Sequence, residues 1–138
     1  MVFQDTIKLA AQERGATDIT DFISDVIQDS KIKTGTCQLF VHNSLSCLLI
    51  YDTADEAIKD QTADFLAQLA PSSDGINDEI DNSMDAIPEA MRAALTQTTI
   101  AFPISHGKPL LGTWQGIYLW ERTTRPKARK LTITIIGE

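Results

Sequence analysis

The sequence predicts a single α+β domain spanning residues 1–138, built from several β-strands and two to three amphipathic helices. Short apolar segments rich in β-branched side chains lie towards both ends of the chain, as is typical of strands. Between them, apolar residues recur at helical spacing. The length suits one domain, and no repeat, low-complexity segment or linker divides it.

The first half of the chain is predicted to contain three strands and one helix. Residues 2–10 alternate loosely and carry β-branched and aromatic side chains, which indicates a strand, and a turn is expected at residues 14–16. From Thr20, apolar side chains at spacing i, i+1, i+4, i+5 predict a short helix with aspartates on its opposite side. Strands are predicted at 36–41 and 46–51. The unbroken apolar run of the second one indicates a central strand buried on both faces.

The second half is predicted to continue with helices and to end in strands. A helix is expected at residues 54–69 and another at 88–95. The acidic segment at 72–86 between them is long for a structureless connection, which is typical of a functional or disordered loop. The closing strands are predicted at 98–105, 110–111, 113–121 and 130–136, with turns at 106–107 and 125–126. The last strand alternates cleanly, so one of its faces should be buried and the other wetter.

Charge is distributed unevenly and restricts the expected partners. The net charge is −7, which argues against nucleic acid and against an anionic membrane as partner. No apolar run approaches the roughly 20 residues needed to span a bilayer. Residues 91–138 nevertheless carry seven basic and two acidic side chains. The bases concentrate at Arg122, Arg125, Lys127, Arg129 and Lys130. This cluster is compatible with a small-anion site such as one for a phosphate group, and equally with a solvated hairpin tip.

The cysteines and histidines further restrict the redox and metal chemistry that is expected of this chain. Cys37 and Cys47 lie in predicted strands without a C-x-x-C spacing, so we expect reduced core residues, which favours a cytoplasmic localisation. The N-terminus lacks the apolar segment of a secretory signal. His42 and His106 are the only histidines, which excludes a histidine-rich metal site within one chain. The acidic residues of segment 74–85 could supply oxygen ligands for a hard cation, but they lack the spacing and the central glycine of a calcium loop. The sequence therefore predicts no metal site and no cofactor.

The segment at residues 112–121 is the most informative part of the chain. In a strand, Trp114, Gly116, Tyr118 and Trp120 would share one face because they are spaced two apart. A strand glycine lets a ligand or a backbone approach closely, and aromatic side chains would wall the resulting pocket. Packing in an aromatic core or a subunit interface explains the same pattern. Nucleophile-elbow, Walker, dinucleotide and H-E-x-x-H signatures are absent from the sequence.

This segment, Gly-Thr-Trp-Gln-Gly-Ile-Tyr-Leu-Trp-Glu, resembles a stretch of the YjbQ family. The resemblance extends to the Ser-x-Gly-Lys turn at 105–108, to residues 88–96, to Arg125-Pro126 and to the terminal Ile-Gly-Glu. It covers nearly the whole chain. It implies a YjbQ-like single α+β domain in which antiparallel or mixed sheets form a sandwich-like core. It also implies a homotrimer with pockets near subunit boundaries and thiamine-phosphate-synthase-like activity.

The resemblance places the family's histidines on other residue types. A family motif similar to H-T-S-x-S-L aligns with residues 43–48, so its histidine corresponds to Asn43. The second family histidine falls near Glu79, and the third, in a pattern of the M-P-x-H type, falls on Ala90. His42 is one residue from Asn43, but neighbouring strand residues point to opposite faces, so it is not expected to substitute.

Two functional hypotheses follow from the resemblance. In the first, the chain is an active thiamine-phosphate-synthase-like enzyme in which Asp52, Asp55 and an arginine replace the histidines. In the second, it is a catalytically degenerate homologue that keeps the trimer and a pocket for a small phosphorylated ligand. The second is favoured, because losing a general acid or base typically costs about 10²- to 10⁴-fold in rate. The ligand-binding residues implied by the resemblance are Asn43, Ser44, Ser46, Glu79, Trp114, Gln115 and Arg129.

Overall fold

The structure, a computed structural model, describes residues 1–12, 15–43, 46–52, 97–121 and 127–138. These ranges contain mostly strand and one helix, which confirms the predicted α+β class. The elements are β1 (Val2–Leu9), β2 (Gly15–Asp18), α1 (Thr20–Ser30), β3 (Gly35–Val41), β4 (Ser46–Asp52), β5 (Thr99–Ser105), β6 (Lys108–Pro109), β7 (Gln115–Glu121) and β8 (Arg129–Gly137). The helices predicted at 54–69 and 88–95 and the acidic segment 72–86 lie outside the described residues.

The strands form two antiparallel sheets that share one core. Sheet A has five strands in the order β1-β8-β3-β5-β6, and sheet B has three in the order β2-β7-β4. Alternation along β8 buries Leu131, Ile133 and Ile135, as predicted, and they join Ile23 of α1 and Leu119 of β7 in a single apolar cluster. The chain passes between the sheets three times at the same end, from β1 to β2, from β3 to β4 and from β7 to β8.

Helix α1 begins where the sequence predicts it and packs one side onto this core. Ile23 and Ile27 are fully buried, while Asp21, Asp25 and Asp29 are exposed. Asp18 Oδ1 accepts a 2.9 Å hydrogen bond from the Thr20 backbone N–H and so satisfies a donor at the helix start. No helix in the described part of the chain is both long and apolar enough to span a membrane.

Three local predictions were wrong, each for a physical reason. The expected turn at 14–16 overlaps strand β2, which is only four residues long and therefore too short to display a period. The strand expected at 110–111 is instead β6 at Lys108–Pro109, because the two-residue turn at His106 and Gly107 closes the hairpin early; both residues have positive φ, as a type I′ turn requires. Strand β4 is not central: within the described residues, β7 pairs on both sides and β4 pairs on one.

Two glycines allow the close approach of β3 and β8. Gly35 and Gly137 are partners in the register. A Cβ on Gly35 would overlap the carbonyl oxygen of Ile136, and a Cβ on Gly137 would overlap that of Thr34. Only glycine fits at these positions, which explains why β3 begins with a glycine and β8 ends with one.

Candidate functional site

The described candidate residues fall into two groups at opposite ends of the β4–β7 pair. At one end Ser46 is the partner of Glu121, and at the other Asp52 is the partner of Gln115. Six residues separate the two ends of β4, which is roughly 20 Å at about 3.4 Å per residue. The two groups therefore cannot contact one small ligand together within a single chain. Ser44, Asp55 and Glu79 lie outside the described residues.

We call the first group the sheet junction: Asn43, Ser46, Glu121 and Arg129. Its members lie where the chain leaves one sheet and enters the other, Asn43 and Ser46 around the β3–β4 connection and Glu121 and Arg129 around the β7–β8 connection. Ser46 and Glu121 are fully buried, and Arg129 is 7% exposed. Three members of the sheet junction therefore lie inside the protein, and the fourth, Asn43, is half-buried.

Glu121 and Arg129 form a buried bidentate ion pair. Arg129 Nε donates to Glu121 Oε2 and Arg129 Nη2 donates to Glu121 Oε1, both at 2.8 Å. This parallel arrangement is the strong geometry for arginine and carboxylate. Arg129 was predicted to bind ligand, but Glu121 neutralises its charge and occupies two of its donors.

Asn43 makes local hydrogen bonds that shape the β3–β4 connection. Its Oδ1 accepts from the Ser46 backbone N–H at 2.9 Å and from Ser46 Oγ at 2.8 Å. These two hydrogen bonds tie Asn43, the second residue after β3, to Ser46, the first residue of β4. Asn43 Oδ1 and the Ser46 hydroxyl, two polar groups predicted to bind ligand, therefore contact each other.

The second group consists of Asp52, Gln115 and Trp114 at the other end of β4 and β7. Asp52 is exposed, and Trp114 is 62% exposed in the turn before β7. The Gln115 backbone N–H donates to Gly112 O at 3.0 Å, while Gln115 Oε1 accepts from the Gly112 N–H at 2.7 Å. Gln115 therefore holds the turn that presents Trp114, and all three side chains of this group are exposed.

The aromatic segment is divided between this turn and the interior. The expectation that Trp114 shares a strand face with Tyr118 and Trp120 was wrong, because β7 begins at Gln115. Tyr118 and Trp120 are 2% and 4% exposed, and Gly116 is buried as well. The Tyr118 ring lies 4.6 Å from that of Tyr51 on β4. The observed packing favours the aromatic-core interpretation over an open pocket.

The two histidines lie at opposite ends of sheet A. His42 follows β3 on the exposed side, where its Nε2 lies 2.7 Å from Thr132 Oγ1. His106 occupies the hairpin after β5, and Ser105 Oγ lies 3.0 Å from its Nδ1. Because β3 and β5 are antiparallel, these positions are separated by the length of the strands. Among the described residues, no three His, Cys, Asp or Glu side chains are grouped so as to hold a metal ion.

Both cysteines are free thiols in buried strands, as the sequence predicted. Burial raises the pKa of the Cys37 thiol to about 12. A thiol in such surroundings is protonated at neutral pH and is a poor nucleophile. Cys37 is therefore part of the core and not a reactive group.

Sequence reasoning missed Glu121, the acidic member of the sheet junction. A signal was present: residues 91–138 contain only two acidic residues, and Glu121 immediately precedes the basic cluster. A lone carboxylate beside five bases is a candidate ion-pair partner, but its burial depends on the passage between sheets. That passage is a tertiary feature without a local sequence signal.

Comparisons with known proteins cover the full length of the chain. The family described as UPF0047 protein YjbQ-like matches residues 5–138. A UPF0047 protein of Synechocystis is 35% identical over 135 residues, which is 98% of this chain and 92% of the relative. A UPF0047 protein of Methanocaldococcus jannaschii is 33% identical over 138 residues, covering 100% of this chain and 96% of that protein.

Solved structures show a similar fold. A YbjQ-like protein of unknown function from Sulfolobus solfataricus superposes with a TM-score of 0.79 at 26% identity, covering 100% of this chain and 99% of that one. A hypothetical protein from Aeropyrum pernix gives a TM-score of 0.77 at 18% identity, with 99% of both chains covered. At 18% identity, the similarity to the Aeropyrum pernix protein concerns the fold alone.

Proposed function

The chain belongs to the YjbQ-like UPF0047 family, and from that membership we propose that it is a catalytically degenerate member. It keeps the family scaffold as a homotrimer and binds a small phosphorylated ligand without converting it. The trimer and the ligand class are carried over from the family resemblance. The loss of catalysis is argued from the residues of this chain.

The observation that carries the proposal is the internal pairing of the sheet junction. Asn43, at the position of a family histidine, uses its Oδ1 to accept two hydrogen bonds from Ser46. Arg129, at the position of a family basic residue, is held by both oxygens of Glu121. Side chains engaged in this way stabilise the passage between the sheets, and the Asn43 oxygen and the Arg129 charge are both committed to partners within the protein.

The residue types at the positions of the family histidines also favour a loss of catalysis. A carboxamide such as that of Asn43 has no proton to transfer near neutral pH, and a methyl group such as that of Ala90 cannot bind a metal ion. Histidine is the side chain that ordinarily performs both tasks at that pH. Ala90 lies outside the described residues, and its correspondence to a family histidine comes from the resemblance in sequence.

Restoring the histidines tests the proposal. The parent protein and an Asn43→His, Ala90→His variant would be compared for zinc binding by calorimetry. Both would also be assayed for thiamine phosphate formed from hydroxymethylpyrimidine pyrophosphate and thiazole phosphate. We expect the parent to lack both properties and the variant to gain stoichiometric zinc binding or turnover.

A matched control places a histidine elsewhere. Gln28→His adds an imidazole to the exposed side of α1 and should change neither property. Urea unfolding of each variant verifies that the added histidines leave the protein folded. Stoichiometric zinc binding or turnover by the parent would contradict the proposal.

The second candidate function is the active enzyme, and one observation favours it. Asp52 is exposed beside the turn that carries Trp114, so a carboxylate and an indole are both open to solvent at that end of β4 and β7. If this end acts on substrate, Asp52→Ala abolishes turnover while Asp29→Ala on α1 does not. A parent without turnover above a blank removes this candidate.

The homotrimer has a separate test. Light scattering on the purified chain should give three times the mass of one chain, at a concentration where the protein is folded. A monomeric mass would contradict this part of the proposal and would leave the argument about catalysis unchanged.

A further inference from the structure

Across four strands of sheet A, the face that points away from the core is uncharged except at one corner. We define this face by the outward residues of β1, β8, β3 and β5. Three rows across these strands contain only uncharged side chains: Val2, Ile136, Thr36 and Pro103; Gln4, Thr134, Gln38 and Ala101; Thr6, Thr132, Phe40 and Thr99. The fourth row contains Lys8, Lys130 and His42. All of the positive charge in these rows is thus concentrated at one end.

Lys8 and Lys130 are direct cross-strand partners with the same charge. They are paired in the register of β1 and β8, and both are exposed. Directly opposed residues have Cβ atoms about 5 Å apart, and like charges in that arrangement destabilise a sheet. Neither ammonium group has a carboxylate partner among the described residues. An arrangement with this cost is explained if an anion lies between the two groups.

His42 brings a third polar group to the corner from strand β3. Its backbone N–H donates to Lys130 O at 3.0 Å, which fixes it beside the lysine pair. Its Nε2 lies 2.7 Å from Thr132 Oγ1, which in turn lies 2.8 Å from Thr6 Oγ1. One imidazole and two hydroxyls therefore form a hydrogen-bonded row next to the two ammonium groups.

The charge surrounding this corner is favourable for an anion. No acidic side chain among the described residues lies on the outer face of sheet A. Arg129, the neighbour of Lys130, points inward and is neutralised by Glu121, so these two bases lie on opposite sides of β8. In a chain of net charge −7, a local excess of positive charge attracts small anions.

We propose that Lys8, Lys130 and His42 form a binding site for a phosphate-type dianion on the outer face of sheet A. The two ammonium groups neutralise the dianion, while His42 and the hydroxyls of Thr6 and Thr132 supply hydrogen-bonding groups at its edge. This site lies on the opposite side of β8 from the Glu121–Arg129 pair and does not depend on the proposed loss of catalysis.

The adjoining surface distinguishes two sources of such a dianion. An open depression next to the corner is lined by Phe40, Val41, His42, Asn43 and Thr98. The Phe40 ring is 41% exposed there and packs edge-on against His42, with ring centroids 4.8 Å apart. A phosphate monoester would gain affinity by placing its organic part against the Phe40 ring. Inorganic phosphate has no organic part and would gain no affinity from that ring.

Nuclear magnetic resonance of the full chain tests the site directly. Inorganic phosphate and phenyl phosphate would be titrated in turn at constant ionic strength, with sodium chloride as the comparison. We expect saturable shifts of the amides of Lys8, Lys130 and His42, and no such saturation with chloride. In a Lys8→Gln, Lys130→Gln variant the Kd should rise about tenfold or more, because charge-assisted hydrogen bonds are lost.

Matched variants separate this site from general charge effects. A Lys33→Gln, Lys108→Gln variant removes two exposed lysines at the opposite end of sheet A and should leave the Kd unchanged. A lower Kd for phenyl phosphate that Phe40→Ala abolishes assigns the site to a monoester, and equal Kd values assign it to free phosphate. The proposal is overturned by shifts that do not saturate, or by an unchanged Kd in the Lys8→Gln, Lys130→Gln variant.

A readout without ligand tests the same geometry. If the two lysines repel each other, Lys8→Gln should raise the urea midpoint of the phosphate-free protein, and phosphate should raise the midpoint of the parent by more than that of the variant. Lys108→Gln, whose cross-strand partner is Ser105, should have neither effect. Identical midpoints for parent and Lys8→Gln, with and without phosphate, would contradict the site.

Discussion

Glu121 ends β7 and Arg129 begins β8, and their side chains meet inside the protein in two parallel hydrogen bonds of 2.8 Å. The pair therefore joins the two sheets at the point where the chain passes from one to the other. Removing one partner leaves the other charge buried and uncompensated, which typically costs about 3–5 kcal/mol. We expect Glu121→Gln and Arg129→Met each to lower the free energy of urea unfolding by about this amount.

The double replacement separates structural pairing from ligand binding. Glu121→Gln combined with Arg129→Met removes both charges, so it should recover most of the stability lost by either single change. Lys127→Met, at an exposed position two residues before Arg129, should change stability much less than either change in the pair. If the double variant is as unstable as the sum of the single ones, the two residues do not act as a pair.

Asn43 is expected to be replaceable by another short side chain that accepts hydrogen bonds. Asn43→Asp keeps an oxygen in place of Oδ1 and should retain most of the stability. Asn43→Leu removes both bonds to Ser46 and should cost about 1–3 kcal/mol, because the Ser46 donors are left in a buried site. Chemical unfolding of the two variants measures the difference. Equal stabilities would show that the hydrogen bonds from Ser46 to Asn43 contribute nothing to the free energy of unfolding.

The close approach at Gly35 and Gly137 predicts a strong response to a single methyl group. Gly35→Ala and Gly137→Ala each place a Cβ against backbone that cannot move without separating β3 from β8. We expect each change to lower the unfolding free energy by about 1–3 kcal/mol, as overpacking commonly does. Gln38→Ala, exposed on the same strand, is the control. Thermal midpoints indistinguishable from that of the parent would contradict the register.

Cys37 predicts a loss of stability in alkali. Burial raises the pKa of its thiol from 9.0 to about 12. The folded state therefore favours the neutral thiol. The stability that this preference contributes is fully present below about pH 9 and is lost as the pH rises towards 12. At about pH 10.5 the unfolding free energy should fall by about 2 kcal/mol from this source. Cys37→Val should lack that part of the decrease, and an equal decrease in both proteins would contradict it.

Much of the fold was predictable because local patterns determined it. The alternation of β8, the apolar side of α1 and the turn at His106 and Gly107 all depend on neighbours within a few residues. Strand β2 was missed because four residues cannot display a period, and β4 was misplaced because an apolar run does not reveal how many strands flank it.

The candidate site was less predictable, because its arrangement is tertiary. The resemblance assigned Asn43 and Gln115 to one ligand-binding set, but antiparallel pairing places them at opposite ends of β4 and β7. Glu121, the partner of Arg129, lies eight residues earlier in sequence and in the other sheet. No local sequence pattern indicates that the chain changes sheet between the two residues. Burial of the ion pair, which decides its role, follows from that passage.

The central claim, that this scaffold no longer performs the family's chemistry, is tested most directly by a turnover measurement on the parent protein. Purified chain would be incubated with hydroxymethylpyrimidine pyrophosphate and thiazole phosphate, with and without zinc, and thiamine phosphate would be quantified by chromatography. We predict no product above an enzyme-free blank. Product that forms with the parent and disappears with Asp52→Ala would contradict the claim.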